Sequence, residues 1–237
     1  FTAGLDAAGN PVSLTARVAS PALSIAAGFA TELPKGIDEA AVEGIADMLY
    51  GFPNLRVEYA RTEPGVPPWY WRSVGHSQNV YFIEAFIDEI AAAAGKDPVE
   101  FRRSLLTKQP RLRGVLDLAA QRAGWGSHLP QGVHRGVAIT NCFGSFVAQV
   151  AEVSMDASGK PRVHRIVAAV DCGRTVNPDV IHRQVEGAIA YGLSAALHGK
   201  ITFRNGRVEQ SNFDDYPMLR MDGMPRVEVH IVPSTEA

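Results

Sequence analysis

The spacing of apolar and polar residues divides this chain into a helix-rich first half and a strand-rich second half. Val12, Leu14, Ala16 and Val18 alternate with polar neighbours, the period of a half-buried strand. The turn residues Asp6, Gly9 and Asn10 stand before them, so residues 1–5 read as the other strand of a hairpin. Residues 21–34 show no period and read as a loop with a short helix. Asp38 has the place of an N-cap, and Ala41, Val42, Ile45, Met48 and Leu49 follow at helical spacing until Gly51 and Pro53. Residues 55–60 alternate as a strand, and Pro64, Gly65, Pro67 and Pro68 make a stiff loop. Beyond residues 69–79, the stripe Val80, Ile83, Ile87 and Ile90 predicts a long helix. A second helix opens on the cap pair Asp97 and Pro98, and a third covers 111–123.

After that the period changes. Strands are predicted over 135–139, 146–155 and 163–170, with a turn at Asp156 and Gly159, and a helix over 179–197. A hairpin turning at Asn205 and Gly206 and a last strand over 227–232 complete the reading. Helices come early and strands late, without a βαβ rhythm. The fold class this implies is α+β, with helices packed on mixed or antiparallel sheets, and regions at 1–130 and 131–237.

Composition removes several function classes. A net charge of −2 over 237 residues gives no basic footprint for nucleic acid. No apolar run reaches the roughly 18 residues of a membrane span, so the chain reads as soluble, with cytoplasm and periplasm equally open. It opens on Phe1 and Thr2 without a signal-peptide layout, and therefore reads as an excised piece or a processed product. Cys142 and Cys172 are too few for a zinc or iron–sulfur site and read as two buried thiols.

Two stretches carry candidate chemistry. In the first, Trp69, Tyr70 and Trp71 lead into Arg72, Ser73, Val74, Gly75, His76, Ser77, Gln78 and Asn79. Arg72 offers a planar donor fork, Gly75 permits close backbone approach, and the start of an apolar helix favours an anion. The plain alternative is a helix capped by Ser77 or Asn79. In the second, a strand ends at Asp171, Cys172 and Gly173, and Asn177 and Pro178 open a helix that carries Gln184. Asp171, Asn177 and Pro178 read as shaping the turn that aims Gln184. The neighbours Asp214 and Asp215 read as a turn-capping and an exposed carboxylate, and the histidines other than His76 as surface or core residues.

Together these stretches resemble the molybdenum-hydroxylase large subunits of xanthine dehydrogenases and aldehyde oxidoreductases. Residues 70–78 are similar to that family's Ala-Phe-Arg-Gly-Phe-Gly-x-Pro-Gln loop. Residues 171–178 and 183–187 are similar to its Asp-x-Gly-x-x-x-Asn-Pro and Gly-Gln-x-Glu-Gly motifs. Within the family the wording is nearest to the isoquinoline 1-oxidoreductase beta-subunit group, echoed again at 84–89, 143–145 and 210–216.

The resemblance implies part of a molybdopterin-binding domain holding molybdopterin cytosine dinucleotide with molybdenum. It also implies a small partner subunit bearing iron–sulfur clusters, the remainder of the large subunit, and oxidation of an N-heteroaromatic or aldehyde with water as oxygen source. Arg72, Ser73, Gly75, Gln78 and Gln184 would meet the cofactor, and Val74 and Trp71 would line the substrate site. The family's Gly-Val-Gly-Glu base motif and Gly-Gln-Gly loop do not occur in the sequence. No residue is therefore assigned as catalytic or as a metal ligand, and the chain alone is expected to be inactive. Glu43 lies in the region where xanthine dehydrogenases place a substrate arginine, which implies a substrate other than a purine. A non-catalytic assembly or scaffold module of the same fold is the alternative.

Overall fold

The computed structural model describes residues 1–63 and 65–236; Pro64, expected in the stiff loop, lies outside them. The chain divides into two compact units: Phe1–Leu116 with Ala138–Val147, and Asp117–Val137 with the residues from Ala148 onward.

Unit 1 opens with the expected hairpin. Strand β1 (Thr2–Leu5) pairs antiparallel with β2 (Pro11–Ser20), and Asp6 Oδ1 closes the turn by accepting from the Ala8 and Asn10 amides. Helices α1 (Leu23–Ala26) and α2 (Glu39–Val42) follow, each a single turn. Strand β3 (Leu55–Arg61) then returns parallel to β2, with Ala16 opposite Val57, so the sheet is mixed. Asp38, 1% exposed, caps α2 at the Ala40 amide as expected; its two oxygens also accept from the Ser24 amide and hydroxyl, which ties α1 to α2.

The helix expected to run from Asp38 to the Gly51 and Pro53 breakers stops at Val42. Glu43 turns extended (ψ 143) and Gly44 takes φ 83, a left-handed conformation open to glycine at little steric cost. Asp47 Oδ1 accepts the Gly44 N–H at 2.5 Å. The apolar stripe holds as a burial pattern, since Ala41, Val42 and Ile45 are buried. Its backbone is decided by polar contacts that local periodicity does not carry.

Helices α3 (His76–Ala93), α4 (Pro98–Leu105) and α5 (Pro110–Ala123) come next. Asp97 accepts from the Val99 and Glu100 amides, and Pro98 starts α4 where a missing N–H costs nothing. Asp97→Ala is expected to destabilise the protein by about 1 kcal/mol, read as a lower denaturant midpoint at unchanged slope. On α3, Ile83, Ile87 and Ile90 are buried, and so is Glu84. Its Oε1 accepts from the Tyr50 hydroxyl (2.8 Å), while its Oε2 accepts from Arg102 Nε (3.1 Å) and the Ile139 amide (2.8 Å). Arg102, 0% exposed, spends its remaining donors on Asp88, the Pro98 carbonyl and the Glu84 carbonyl.

Strands β4 (Val133–Cys142) and β5 (Ser145–Met155) contribute to both units, their turn end to unit 1. In unit 2, β6 (Pro161–Asp171) is followed by α6 (Pro178–Leu197), the short hairpin β7 (Phe203–Arg204) and β8 (Arg207–Val208), and β9 (Arg226–Ile231). The sheet order is β4-β5-β6-β9, with β9 parallel to β6. The last six residues of β6 are buried, the continuous burial of a strand covered on both faces. Val185, Ile189 and Leu193 of α6 pack on Ile166 and Ala168.

A row of alternating charges crosses this sheet, one side chain from each strand. Arg135 of β4 pairs with Glu152 of β5 (2.9 Å), Glu152 with Arg165 of β6 (3.3 Å), and Arg165 with Glu228 of β9 through two bonds of 2.9 and 3.1 Å. Both arginines also donate to carbonyls at or just past the end of α5. Arg165 reaches those of Arg122 and Ala123, and Arg135 reaches that of Gly124. They satisfy the acceptors a helix leaves open and place positive charge at its negative end. Asp215 is the turn-capping carboxylate of its pair, accepting from the Ser211 and Asn212 amides. Both cysteines are unpaired, half-buried thiols.

Candidate functional site

In unit 1 the tight turn entering α3 is closed by the Val74 amide donating to the Trp71 carbonyl at 3.1 Å. Val74 sits at φ 48. A β-branched side chain there is strained by about 1–3 kcal/mol, so neighbouring structure must hold it. Helix α3 begins at His76, earlier than expected, which places Ser77 and Asn79 inside the first turn and not at its cap.

The holding contacts come from residues 40–47. A Cβ on Gly75 would collide with the Ala40 carbonyl oxygen, and the Gly75 amide donates to Glu43 Oε2 at 3.3 Å. Asn79, 1% exposed, donates to the Ala41 and Glu43 carbonyls. The glycine at 75 is thus required by the chain's own packing. Glu43 already brings a carboxylate to the positive end of α3, so a second anion there would meet its charge. What the loop turns outward is side chains: Arg72 and Gln78 are exposed, Trp71 is 54% exposed, and Ser73 and Ser77 are half-buried with hydroxyls 2.6 Å apart.

The aromatic run is not core. Trp69 and Trp71 are exposed, while Tyr70 stacks on Phe29 at 5.4 Å and its hydroxyl lies 3.2 Å from Ser24 Oγ. A cleft of about 290 Å³ nearby in the chain, lined by Pro21, Ile25, Val66 and Pro67 among others, includes none of the expected site residues. Sequence reasoning missed Glu43 and Asp47, which look like solvent-facing helix positions and instead flank the buried His76. The signal that could have found them is Gly44 between them, an odd residue for a helix interior.

In unit 2 the second motif takes the shape expected of it. Asp171, 2% exposed, accepts from the Gly173 amide at 3.1 Å, and Asn177 caps α6 at the Val180 amide at 3.2 Å. Pro178 fills the first helical position. Gln184 is exposed on α6, in line with the exposed Val180 and Tyr191, while Val185 and Ile189 face the core. The structure thus gathers Trp71, Arg72, Ser73, Val74, Gly75 and Gln78 in unit 1, and Gln184 belongs to unit 2.

Within unit 1, Arg72, Ser73 and Gln78 form a donor set that suits an oxygen-rich ligand. A guanidinium, a hydroxyl and a carboxamide match phosphate, oxo and pterin-type groups. Two family profiles, each described as a molybdopterin cofactor-binding domain, match residues 3–106 and 87–225, the second of them more than half of the chain. The chain belongs to the molybdopterin cofactor-binding domain family.

Individual relatives agree. The isoquinoline 1-oxidoreductase subunit beta of Brevundimonas diminuta is 34% identical over 79% of this chain and 25% of its own length. A membrane-bound aldehyde dehydrogenase of Gluconacetobacter polyoxogenes, named with pyrroloquinoline quinone, is 31% identical over 85% of this chain and 29% of its own. The chain therefore spans under a third of the length of these relatives. Quinoline 2-oxidoreductase from Pseudomonas putida 86 shares the fold at a TM-score of 0.79 and 12% identity, over 98% of this chain and 54% of that one. Among the described residues of this molybdopterin cofactor-binding domain chain, no helix is long and apolar enough to cross a membrane.

Proposed function

We propose that this chain forms part of the large subunit of a molybdenum-dependent hydroxylase acting on a neutral N-heteroaromatic compound or an aldehyde. The observation that carries the proposal is the match of molybdopterin-binding profiles along residues 3–225 taken together. The substrate class follows the names of the two relatives, one a heteroaromatic oxidoreductase and one an aldehyde dehydrogenase. A bound molybdopterin, as its cytosine dinucleotide with molybdenum, would supply two-electron oxidation with water as the oxygen source, and iron–sulfur clusters on a small partner subunit would be its electron acceptor.

The residues of this chain then have separable tasks. Both stretches contribute, 1–130 through the loop at 72–78 and 131–237 through the motif at 171–187. Arg72 donates its planar fork to phosphate or ring carbonyl oxygens, which fixes orientation as a point charge would not. Ser73 and Gln78 add neutral donors beside it, and Gln184 offers one amide that both donates and accepts. Trp71 presents an apolar face to a planar substrate, with Val74 beside it in the loop. Gly75 serves by building the turn.

Metal analysis and pterin release from the purified intact protein test the proposal. Molybdenum and pterin in equal amounts are expected; finding neither identifies a scaffold module of the same fold. Arg72→Ala is expected to weaken pterin retention by about tenfold or more, the loss of charge-assisted hydrogen bonds, and Arg72→Lys should not restore it. Retention equal to the unaltered protein in both variants would remove Arg72 from the site.

A further inference from the structure

His76 is the first residue of α3, and its side chain is 5% exposed. Glu43 Oε2 lies 3.5 Å from Nδ1 and Asp47 Oδ2 lies 3.5 Å from Nε2, on opposite edges of the ring. Neither nitrogen has a partner in hydrogen-bond geometry among the described residues. The third wall is Phe143, whose ring centroid is 5.8 Å from that of His76. Phe143 is 73% exposed and sits at φ 49 in the two-residue turn between β4 and β5, where Asn or Gly is the usual occupant. Strained backbone thus occurs at Phe143 and, two residues before His76, at Val74. Gly44 completes the pocket, since a Cβ there would lie 3.4 Å from the His76 ring.

Carboxylates on opposite edges cannot chelate one ion, and no group of three or more His, Cys, Asp or Glu among the described residues could hold a metal. The arrangement has another use. Two carboxylates facing two ring nitrogens call for two N–H donors, and only the imidazolium has both. We infer that His76 is a positioning residue: gripped between Glu43 and Asp47, it fixes the strained 72–78 loop in the shape that presents Arg72 and Gln78. The inference rests on the proposal that this loop meets the cofactor.

The two contacts tie the 43–47 turn to the start of α3 at two points. Burial and then the same two carboxylates push the nearby Cys142 thiol up. Loop order should therefore fall in salt, because Asp47 is 48% exposed and screened.

Hydrogen exchange on the intact protein provides the test. Two carboxylate contacts at partly exposed sites are together worth about tenfold. His76→Gln should accordingly speed exchange of the 73–79 amides by about tenfold at low salt and by about twofold at high salt, where the carboxylate contacts are screened. Amides of α5 should not change. A gap that is absent, or equal at both salt concentrations, overturns the inference, the second case marking His76 as mere filling. The unaltered protein gives an independent reading if the variant fails to fold. Its 73–79 exchange should quicken with salt, and a flat profile overturns the inference. The holoenzyme separates the two proposals. A loosened loop with pterin retained sinks the cofactor contact and leaves the positioning role standing. Pterin lost with loop exchange unchanged sinks the positioning role.

Discussion

Glu84→Ala should cost unit 1 about 3–5 kcal/mol, the penalty for breaking a buried ion pair by removing one partner. The expectation rests on what the deletion leaves behind. Arg102 is fully buried and its Nε loses an anionic acceptor, while the Tyr50 hydroxyl and the Ile139 amide lose theirs. All of these groups are buried, so each bears its desolvation cost. Glu84→Gln, which keeps the shape and an acceptor but not the charge, should fall between. The double change Glu84→Leu with Arg102→Met should cost less than Glu84→Ala alone, since it removes both charges together. Urea midpoints of the three variants decide it. A Glu84→Ala protein within about 1 kcal/mol of the original would mean the network is not what holds α3 to α4.

Arg165→Met is the second large effect, at about 2–4 kcal/mol, and it should act on unit 2. The substitution removes both bonds to Glu228, the contact with Glu152, and the donors that cover the Arg122 and Ala123 carbonyls at the end of α5. The same pairing predicts an acid sensitivity. The hydrogen bonds from Arg165 hold the Glu228 carboxyl below its usual range. A depressed carboxylate contributes stability above its unfolded value of about 4.3 and loses it as the pH falls through the lower folded value. Unfolding free energy should thus drop in that acid window in the original protein. Glu228→Gln should begin lower and show a shallower slope there. Identical slopes would contradict the pairing.

Much of the architecture was legible because it is written in local signals. Asp97 with Pro98 and Asn177 with Pro178 announce helix starts by side-chain chemistry that acts within three residues. The run from Ile166 to Val170 announces a strand buried on both faces. Other features depend on partners far along the chain. Nothing near Leu55 says that β3 will lie parallel to β2, nor does Arg226 announce β6 as its neighbour. Glu84 reads as a polar break in an apolar stripe, and only Tyr50, Arg102 and Ile139 explain its burial. The turn that enters α3 was legible as a stretch, from the polar run before Val80. The role assigned to Gly75 was not legible, because the Ala40 carbonyl that forbids its side chain lies across a turn that the helical pattern had hidden.

The alternating charges on β4, β5, β6 and β9 have a consequence for how the chain folds. Strand β9 reaches β6 only after α6 and the small hairpin, and it arrives with Arg226 directly opposite Arg165. Those like charges are tolerable because Glu228, two residues on and on the same face, bonds to both of them. A slip of one residue would carry Arg226 and Glu228 together to the far side of the sheet and leave Arg165 without its two bonds to Glu228. The row therefore acts as a registration mark: it favours one alignment of the last strand over the neighbouring ones.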